Sequence, residues 1–367
     1  MFVIHKKIAT KTDYLIIGQG LAGTWLAHFL TQLGRDVLVV DVPLQGAASL
    51  AASGIVNPVT GRRIVKTWRA DTLLPFAQDA YRYVEKLTQQ NFFETKHIIW
   101  LLSSIQMLND FAAKSHSEDC GEYIESVDTQ VPFEHLQPCI GYAQVRGFQV
   151  QVPLFLHAYR QLLEQQGRLI EQVFEYADLQ LHKESIVWKH VSARCIVFCD
   201  GYRAANGNPF FPALPFALAK GEALLAHIPK LKLDGNLLKA GIFIAPHQQR
   251  MEYKGSNDLF WIGSNYEHTL IDTNPTESIK NIFLQQLEEI CTLPVEVQAH
   301  LVGIRPTTNN RRPFIGKHPH YPQLALLNGL GTKGVSLAPF AAHQLAMNLV
   351  HNTPIDSELD VRQFMRE

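Results

Sequence analysis

The sequence has no paired-cysteine motif, no excess of charge and no long apolar run, and each absence removes a class of protein. Its five cysteines, Cys120, Cys139, Cys195, Cys199 and Cys291, are odd in number and none has CxxC spacing. That usage argues against a disulfide framework, a zinc knuckle and a redox dithiol, and it suits a reducing compartment. Lys plus Arg is 33 and Asp plus Glu is 34, a formal net charge of -1, so the chain lacks the broad positive field that sequence-independent phosphate binding exploits. No apolar stretch approaches the roughly 20 residues of a membrane span. The opening MFVIHKKIATKTD has no apolar core ahead of a small-residue cleavage site. The expectation is a cytoplasmic protein with neither integral membrane nor nucleic-acid association. What is present, 46% hydrophobic and 18% charged residues in a chain of 367, fits a globular protein long enough for about two domains.

Residues 13–41, DYLIIGQGLAGTWLAHFLTQLGRDVLVVD, pass from an apolar run to helical spacing and back to an apolar run, the grammar of a βαβ unit. It predicts strands at Tyr14 to Ile17 and Val37 to Val40, and a helix from Leu21 to Leu33 stopped by Gly34. A second helix is expected over about 71–87, with Leu73, Leu74, Phe76, Ala77, Ala80, Tyr81, Val84 and Leu87 on its apolar face. From about 92 to 145 and from 215 to 302 the text breaks into short strand-like pieces that read as one antiparallel sheet. Helix and buried-strand grammar returns at 153–201 and again at 324–350. The expected fold is therefore α/β plus α+β. A Rossmann-like domain with a parallel sheet would be assembled from 1–88, 146–212 and 303–367, and an inserted antiparallel-sheet substrate domain from 89–145 and 213–302.

Gly18, Gly20 and Gly23 form GxGxxG between a strand and a helix, and Asp41 closes the next strand. Gly18 allows the tight turn, Gly20 lets a pyrophosphate approach the backbone, Gly23 permits close helix packing, and the helix N-terminus offers amides to the anion. Asp41 is suited to accept hydrogen bonds from a ribose diol. The motif itself does not separate FAD from NAD. The small-residue run that follows, AASLAASG at 47–54 with Ser49, Ser53 and Gly54, favours a long flat ligand crowded against backbone.

These segments, with IVFCDG at 196–201, KGEALL at 220–225, WIGSNYE at 261–267, GIRPTTNNRRPFIG at 303–316 and GLGTKGVSLAP at 329–339, stand in the order seen in the D-amino-acid oxidase, glycine oxidase and sarcosine oxidase superfamily. The chain resembles that superfamily over nearly its whole length. The resemblance implies non-covalent FAD, because GIRPTTNN lacks the cysteine that tethers flavin in some sarcosine oxidases. It assigns cofactor contacts to Gly18, Gly20, Gly23, Asp41, Ser49, Ser53, Gly54, Val173, Asp200, Gly201, Gly303, Arg305, Gly329, Gly331, Thr332, Lys333 and Gly334. The helix beginning near Gly334 would point its positive end at the pyrimidine side of the reduced flavin.

By the same resemblance Arg305 and Lys333 match cations that hold a substrate carboxylate, which implies a small anionic amine, with room for a second acidic group. Arg63, in the basic run GRRIVKTWR that also holds Arg62, Lys66 and Arg69, is the counterpart of a basic residue over the flavin. Tyr253, Tyr266 and His268 stand where the substrate domain would orient the amine. The reaction implied is oxidation of an amino acid or N-methyl amino acid C–N bond to an imine by hydride transfer to flavin N5, which asks chiefly for positioning. The electron acceptor is O2 or another oxidant, and the oligomeric state is unassigned. Two alternatives remain open. One is an oxidase acting on a carboxymethylaminomethyl-modified nucleoside, like the oxidase half of the bacterial tRNA wobble-uridine enzyme. The other is a flavin dehydrogenase passing electrons to a quinone.

Overall fold

The computed structural model describes residues 10–131, 133–205, 207–212, 214–248 and 258–365. Two compact units divide the chain. The first comprises Met1–Ala47, Leu156–Ala219 and Arg305–Glu367, and the second Ala48–Phe155 and Lys220–Ile304.

The first unit is built on a parallel core. Thr10–Ile17 lies between Val37–Val40 and Val191–Phe198, with Leu169–Ile170 beyond the former and Leu324–Asn328 beside the latter, all parallel. The hairpin Leu179–Leu181/Ile186–Trp188 and the strand Phe314–Lys317 add antiparallel edges. Every residue from Leu21 through Leu30 of the helix Leu21–Gln32 is buried, and that helix packs against the C-terminal helix Gly334–His351. A helix covered all round loses the one-sided pattern of a surface helix, and here even Thr24 and His28 are buried. Gly34 ends it in the left-handed region, at φ +70°, as a helix-stopping glycine does. On the sheet, Leu15, Ile17, Ile196, Phe198, Trp188 and Phe314 form one buried cluster. The register pairs Ile17 with both Val40 and Phe198, so three strands end level with one another at Gly18, Asp41 and Cys199.

The second unit holds a nine-stranded sheet in the order Glu296–Arg305, Ala219–His227, Leu259–Gly263, Ile242–Pro246, Leu237–Ala240, Phe93–Leu102, Gly141–Val150 and Ile55–Val56, with Ile124–Asp128 also on Gly141–Val150. The expected purely antiparallel sheet is corrected at one seam, where Leu237–Ala240 runs parallel to Phe93–Leu102. The chain leaves this unit after Phe155 and returns at Lys220, so the two halves of the sheet meet through a long excursion. A hairpin would have forced antiparallel pairing there.

Among the described residues two helices interrupt the strands expected of these regions. Ile105–Ser115 is capped by the Ser104 hydroxyl, which accepts from the Met107 N–H at 3.2 Å. Glu277–Ile290 buries Phe283, Leu287 and Ile290 at helical spacing. The 48–88 segment, expected in the first domain, packs in the second unit. There Ile55–Val56 pairs with Gly141–Val150, and Tyr81 of the helix Ala70–Thr88 meets Phe155 edge-on at 5.2 Å. That helix buries Leu73, Leu74, Ala77, Tyr81 and Val84 as expected. Leu87 remains 45% exposed: at about 100° per residue it falls roughly 90° from the middle of the arc that those five residues span. Among the described residues no helix is long and apolar enough to cross a membrane.

Candidate functional site

In the first unit the fingerprint turn is as tight as its glycines imply. Gly18 has φ +96°, and a methyl placed on it would lie 2.6 Å from the Cys199 carbonyl oxygen. A methyl on Gly23 would lie 1.8 Å from the Gly18 carbonyl oxygen, so the helix sits directly on the turn. Gly20 is the N-cap of Leu21–Gln32 and supplies no capping side chain. The first amides of that helix therefore face the turn with the partial positive charge that suits a pyrophosphate.

Asp41 takes the Gln19 N–H on Oδ1 at 2.8 Å and the Arg160 guanidinium on Oδ2 at 2.9 Å. Burial raises its pKa, against the pull of those two donors. Gln19, the middle residue of GQG, is itself buried. Its amide donates to the Thr24 hydroxyl at 3.2 Å and the Leu156 carbonyl at 3.0 Å, and its Oε1 accepts from Arg160 at 3.2 Å.

Across the turn from Asp41 lies Asp200. A methyl on Gly18 would come within 3.3 Å of its Cα. The Tyr176 hydroxyl donates to the Asp200 carboxyl, and Asn328 donates to the Gly201 carbonyl at 2.9 Å while its Oδ1 holds the Gly329 N–H at 2.8 Å. This set ties the strand end that carries Asp200 to the first glycine of GLGTKG. Burial, opposed by the Tyr176 hydrogen bond, pushes the Asp200 carboxyl up to about 6. A carboxyl raised in the folded state binds its proton more tightly there than when unfolded, so its contribution to stability is lost as pH rises from about 4 through 6. Asp200→Asn is therefore expected to leave stability unchanged near pH 4 and to raise it by about 1–3 kcal/mol at pH 8. Thermal midpoints at the two pH values check this, and an equal shift at both would contradict it.

The loop Gly329–Gly334 packs on the segment after Arg305. The Gly331 N–H donates to the Pro306 carbonyl at 3.2 Å, and a methyl on Gly329, at φ +78°, would lie 2.7 Å from the Thr308 side chain. Lys333 is the N-cap of Gly334–His351. Its side chain reaches solvent, yet the surrounding protein mass, and after it the charges of Arg311 and Arg312, lower its pKa. Among the described residues it has no anionic partner. Arg312 is paired with Glu358 at 3.2 Å, and Arg305 is half-buried. Gly201, at φ +59°, follows Asp200, Thr332 is exposed in the short turn Gly331–Lys333, and Val173 is 48% exposed.

The remaining sequence candidates lie in the second unit. The run 48–54 is fixed there by Trp261, whose indole donates to the Ala51 carbonyl at 3.0 Å, and by Gln149, whose amide donates to the Ser53 carbonyl at 3.0 Å. A methyl on Gly54, at φ +73°, would fall 1.6 Å from the Val150 carbonyl oxygen. One on Gly303 would come within 3.0 Å of Ala51, and Ser49 is half-buried in the same run.

The basic run divides by partner. Lys66 pairs with Asp71 at 2.8 Å, the Arg69 guanidinium lies 4.7 Å over the Trp68 ring, and Arg62 and Arg63 are exposed. Tyr266, 58% exposed, stacks beside His268 at 6.5 Å. Tyr253 lies outside the described residues. Lys220 of KGEALL is a structural cation, 1% exposed and bonded to Asp272 at 2.7 Å and to the Asn274 carbonyl at 2.6 Å.

Sequence reasoning missed Arg160, Tyr176, Asn328, Gln149 and Trp261. Each acts across at least 24 positions of sequence; only Trp261 opens a segment already singled out, WIGSNYE, and nothing there marks its indole as a contact. The glycine turn, the helix start and the acidic strand end together fit the adenosine and pyrophosphate portion of FAD.

The chain belongs to the FAD dependent oxidoreductase family, DAO, whose pattern matches residues 13–347. It is an FAD-dependent oxidoreductase. Among its relatives, glycine oxidase of Pseudomonas aeruginosa is 24% identical over 93% of this chain and 95% of that protein. The tRNA 5-methylaminomethyl-2-thiouridine biosynthesis bifunctional protein MnmC of Vibrio cholerae is 22% identical over 92% of this chain, which spans 55% of that protein. The crystal structure of glycine oxidase from Geobacillus kaustophilus superposes with a TM-score of 0.77 at 20% identity, covering 97% of this chain and 98% of that one.

Proposed function

We propose that this flavoenzyme oxidises the C–N bond of a small amino acid or N-substituted amino acid to an imine, with the substrate carboxylate held by Arg305 and Lys333. The observation that carries the reading is Lys333. It is an exposed cation without an anionic partner among the described residues, its pKa lowered by the surrounding protein and by Arg311 and Arg312, on a loop hydrogen-bonded to the segment that Arg305 begins. A partly desolvated ammonium near two guanidinium groups is unfavourable by itself and gains most from an incoming anion. The likeness to glycine oxidases in both sequence and fold supports the same substrate class.

When bound, FAD would supply the two-electron acceptor for this oxidation. The side chains bind and orient. Arg305 presents a planar fork to the two carboxylate oxygens and Lys333 a point charge, which together fix the α-carbon. Gly329 and Gly331 would let the backbone come close to the flavin, with Thr332 on the same loop, and the amides opening Gly334–His351 would favour negative charge on the reduced ring; Gly303 is proposed as a cofactor contact on the family likeness. Arg63 and Tyr266, in the second unit, are proposed as substrate-side residues on the family likeness alone. FAD is held without a covalent bond.

A carboxymethylaminomethyl nucleoside offers the same carboxylate and secondary amine, and the likeness to MnmC keeps it in the test. The test is anaerobic bleaching of the bound flavin by glycine, N-methylglycine, D- and L-amino acids, iminodiacetate and carboxymethylaminomethyluridine. Bleaching by the free amino acids is expected. Bleaching by the nucleoside alone would replace the reading with its alternative, and bleaching by none of them would contradict both.

A further inference from the structure

The guanidinium of Arg160, on the helix Val152–Gln165, is bonded on all three of its nitrogens. Its Nη1 donates to Asp41 Oδ2 at 2.9 Å and to Gln19 Oε1 at 3.2 Å, its Nη2 donates to Glu171 at 2.5 Å, and its Nε faces Glu164 at 3.4 Å. A guanidinium has five N–H donors in a fixed fork, and here they are committed to four neighbouring groups. Arg160 thus has little left for a phosphate. Its effect passes through the groups it holds, which are the middle residue of GQG and the acid that closes the next strand.

The Asp41 carboxylate is set by those contacts. Each oxygen receives one donor, Oδ1 from the Gln19 N–H and Oδ2 from Arg160. A carboxylate oxygen accepts about two hydrogen bonds, so one acceptor position stays open on each oxygen of this half-exposed group. Two acceptors at the spacing of one carboxylate match the two hydroxyls of a vicinal diol, and Asp41 stands at the strand end beside the fingerprint turn, where a ribose belongs. Without Arg160 the carboxyl would keep a single tether, the Gln19 N–H, and would be free to rotate away from the diol.

We infer that Arg160 is a positioning residue that locks the Asp41 carboxylate in the orientation that reads both hydroxyls of the adenosine ribose. Gln19 shares in the lock, because the same nitrogen binds both residues and the turn cannot shift independently of Asp41. This inference is independent of the amine substrate and stands or falls without it.

The test measures ribose discrimination. The full-length protein, stripped of FAD, is titrated with ADP and with 2′-deoxy-ADP, each competing against FAD for reconstitution. In the parent, ADP is expected to bind about tenfold or more tightly than 2′-deoxy-ADP, the loss for one hydrogen bond to a charged acceptor. In Arg160→Met that ratio should fall below threefold, and in Arg160→Lys, which keeps one cation beside Asp41, it should lie between. A merely structural role would weaken both nucleotides equally and leave the ratio intact, which would overturn the inference. If Arg160→Met does not fold, the Lys variant decides: a ratio equal to the parent's would also overturn it.

Discussion

Gly23→Ala is expected to yield a colourless protein, with less than a tenth of the FAD carried by the parent. The added methyl would stand 1.8 Å from the Gly18 carbonyl oxygen and 3.3 Å from the Ile16 side chain. The nearer atom is backbone, so no rotamer change relieves the clash. The helix Leu21–Gln32 has to move off the turn, and it carries with it the amides that face the pyrophosphate. Overpacking of this kind costs about 3 kcal/mol or more, equivalent to at least a hundredfold in cofactor affinity.

Gly34→Ala is the control. Its φ is +70° but nothing lies within 4 Å of the new methyl, so only the left-handed backbone penalty of about 1 kcal/mol applies, and FAD should stay bound. Acid precipitation followed by flavin fluorescence of the supernatant measures both. The parent should release intact FAD into solution, since no covalent tether is proposed. Stoichiometric FAD in Gly23→Ala would mean that the turn is not the cofactor's seat.

Arg305→Met and Lys333→Met are each expected to lower the efficiency of flavin reduction by one to two decades while FAD content stays at the parent level. The estimate follows from losing one charge-assisted contact to a carboxylate, about 1.5–3 kcal/mol. The two losses should differ in kind. The fork of Arg305 fixes direction as well as charge, so its removal should lower the limiting rate of reduction, whereas loss of the Lys333 point charge should act mainly on the substrate concentration needed. Lys333→Met should also ease the crowding with Arg311 and Arg312 and leave the protein no less stable. Stopped-flow reduction across a substrate series separates the effects, and parent-like reduction in both variants would remove the carboxylate from the account.

The legible parts of the fold were those written in local patterns. The strand, glycine turn, helix and acidic strand end of residues 13–41 follow from periodicity and three glycines, and they occur within a residue or two of the expected positions apart from the earlier start of the first strand at Thr10. The parallel seam at Leu237–Ala240 was hidden because pairing across an excursion through another unit leaves no turn signature. The helix Glu277–Ile290 was hidden among the short strand-like pieces on either side of it, although the spacing of Phe283, Leu287 and Ile290 announced it.

In the candidate site, glycines carried the signal because a missing side chain is visible in the text. The groups that orient Asp41 and Asp200 carried none. Arg160 reads as one more solvated cation on an amphipathic helix, and only the fold brings it to a carboxylate 119 residues away. Lys333 shows the converse. The sequence marked it through its glycine-rich loop, and the structure adds the crowding by Arg311 and Arg312 that a linear reading leaves out.

The central claim, a flavin that accepts electrons from an amino acid C–N bond, is tested most directly by a single anaerobic turnover with the amino acid that bleaches the flavin best. The mixture is quenched at full bleaching and its products are counted by mass spectrometry. The account predicts one equivalent of the oxo acid and one of ammonia or alkylamine per FAD reduced, as hydrolysis of an imine requires. Full bleaching with the amino acid recovered intact, or cleavage at a bond other than C–N, would contradict it.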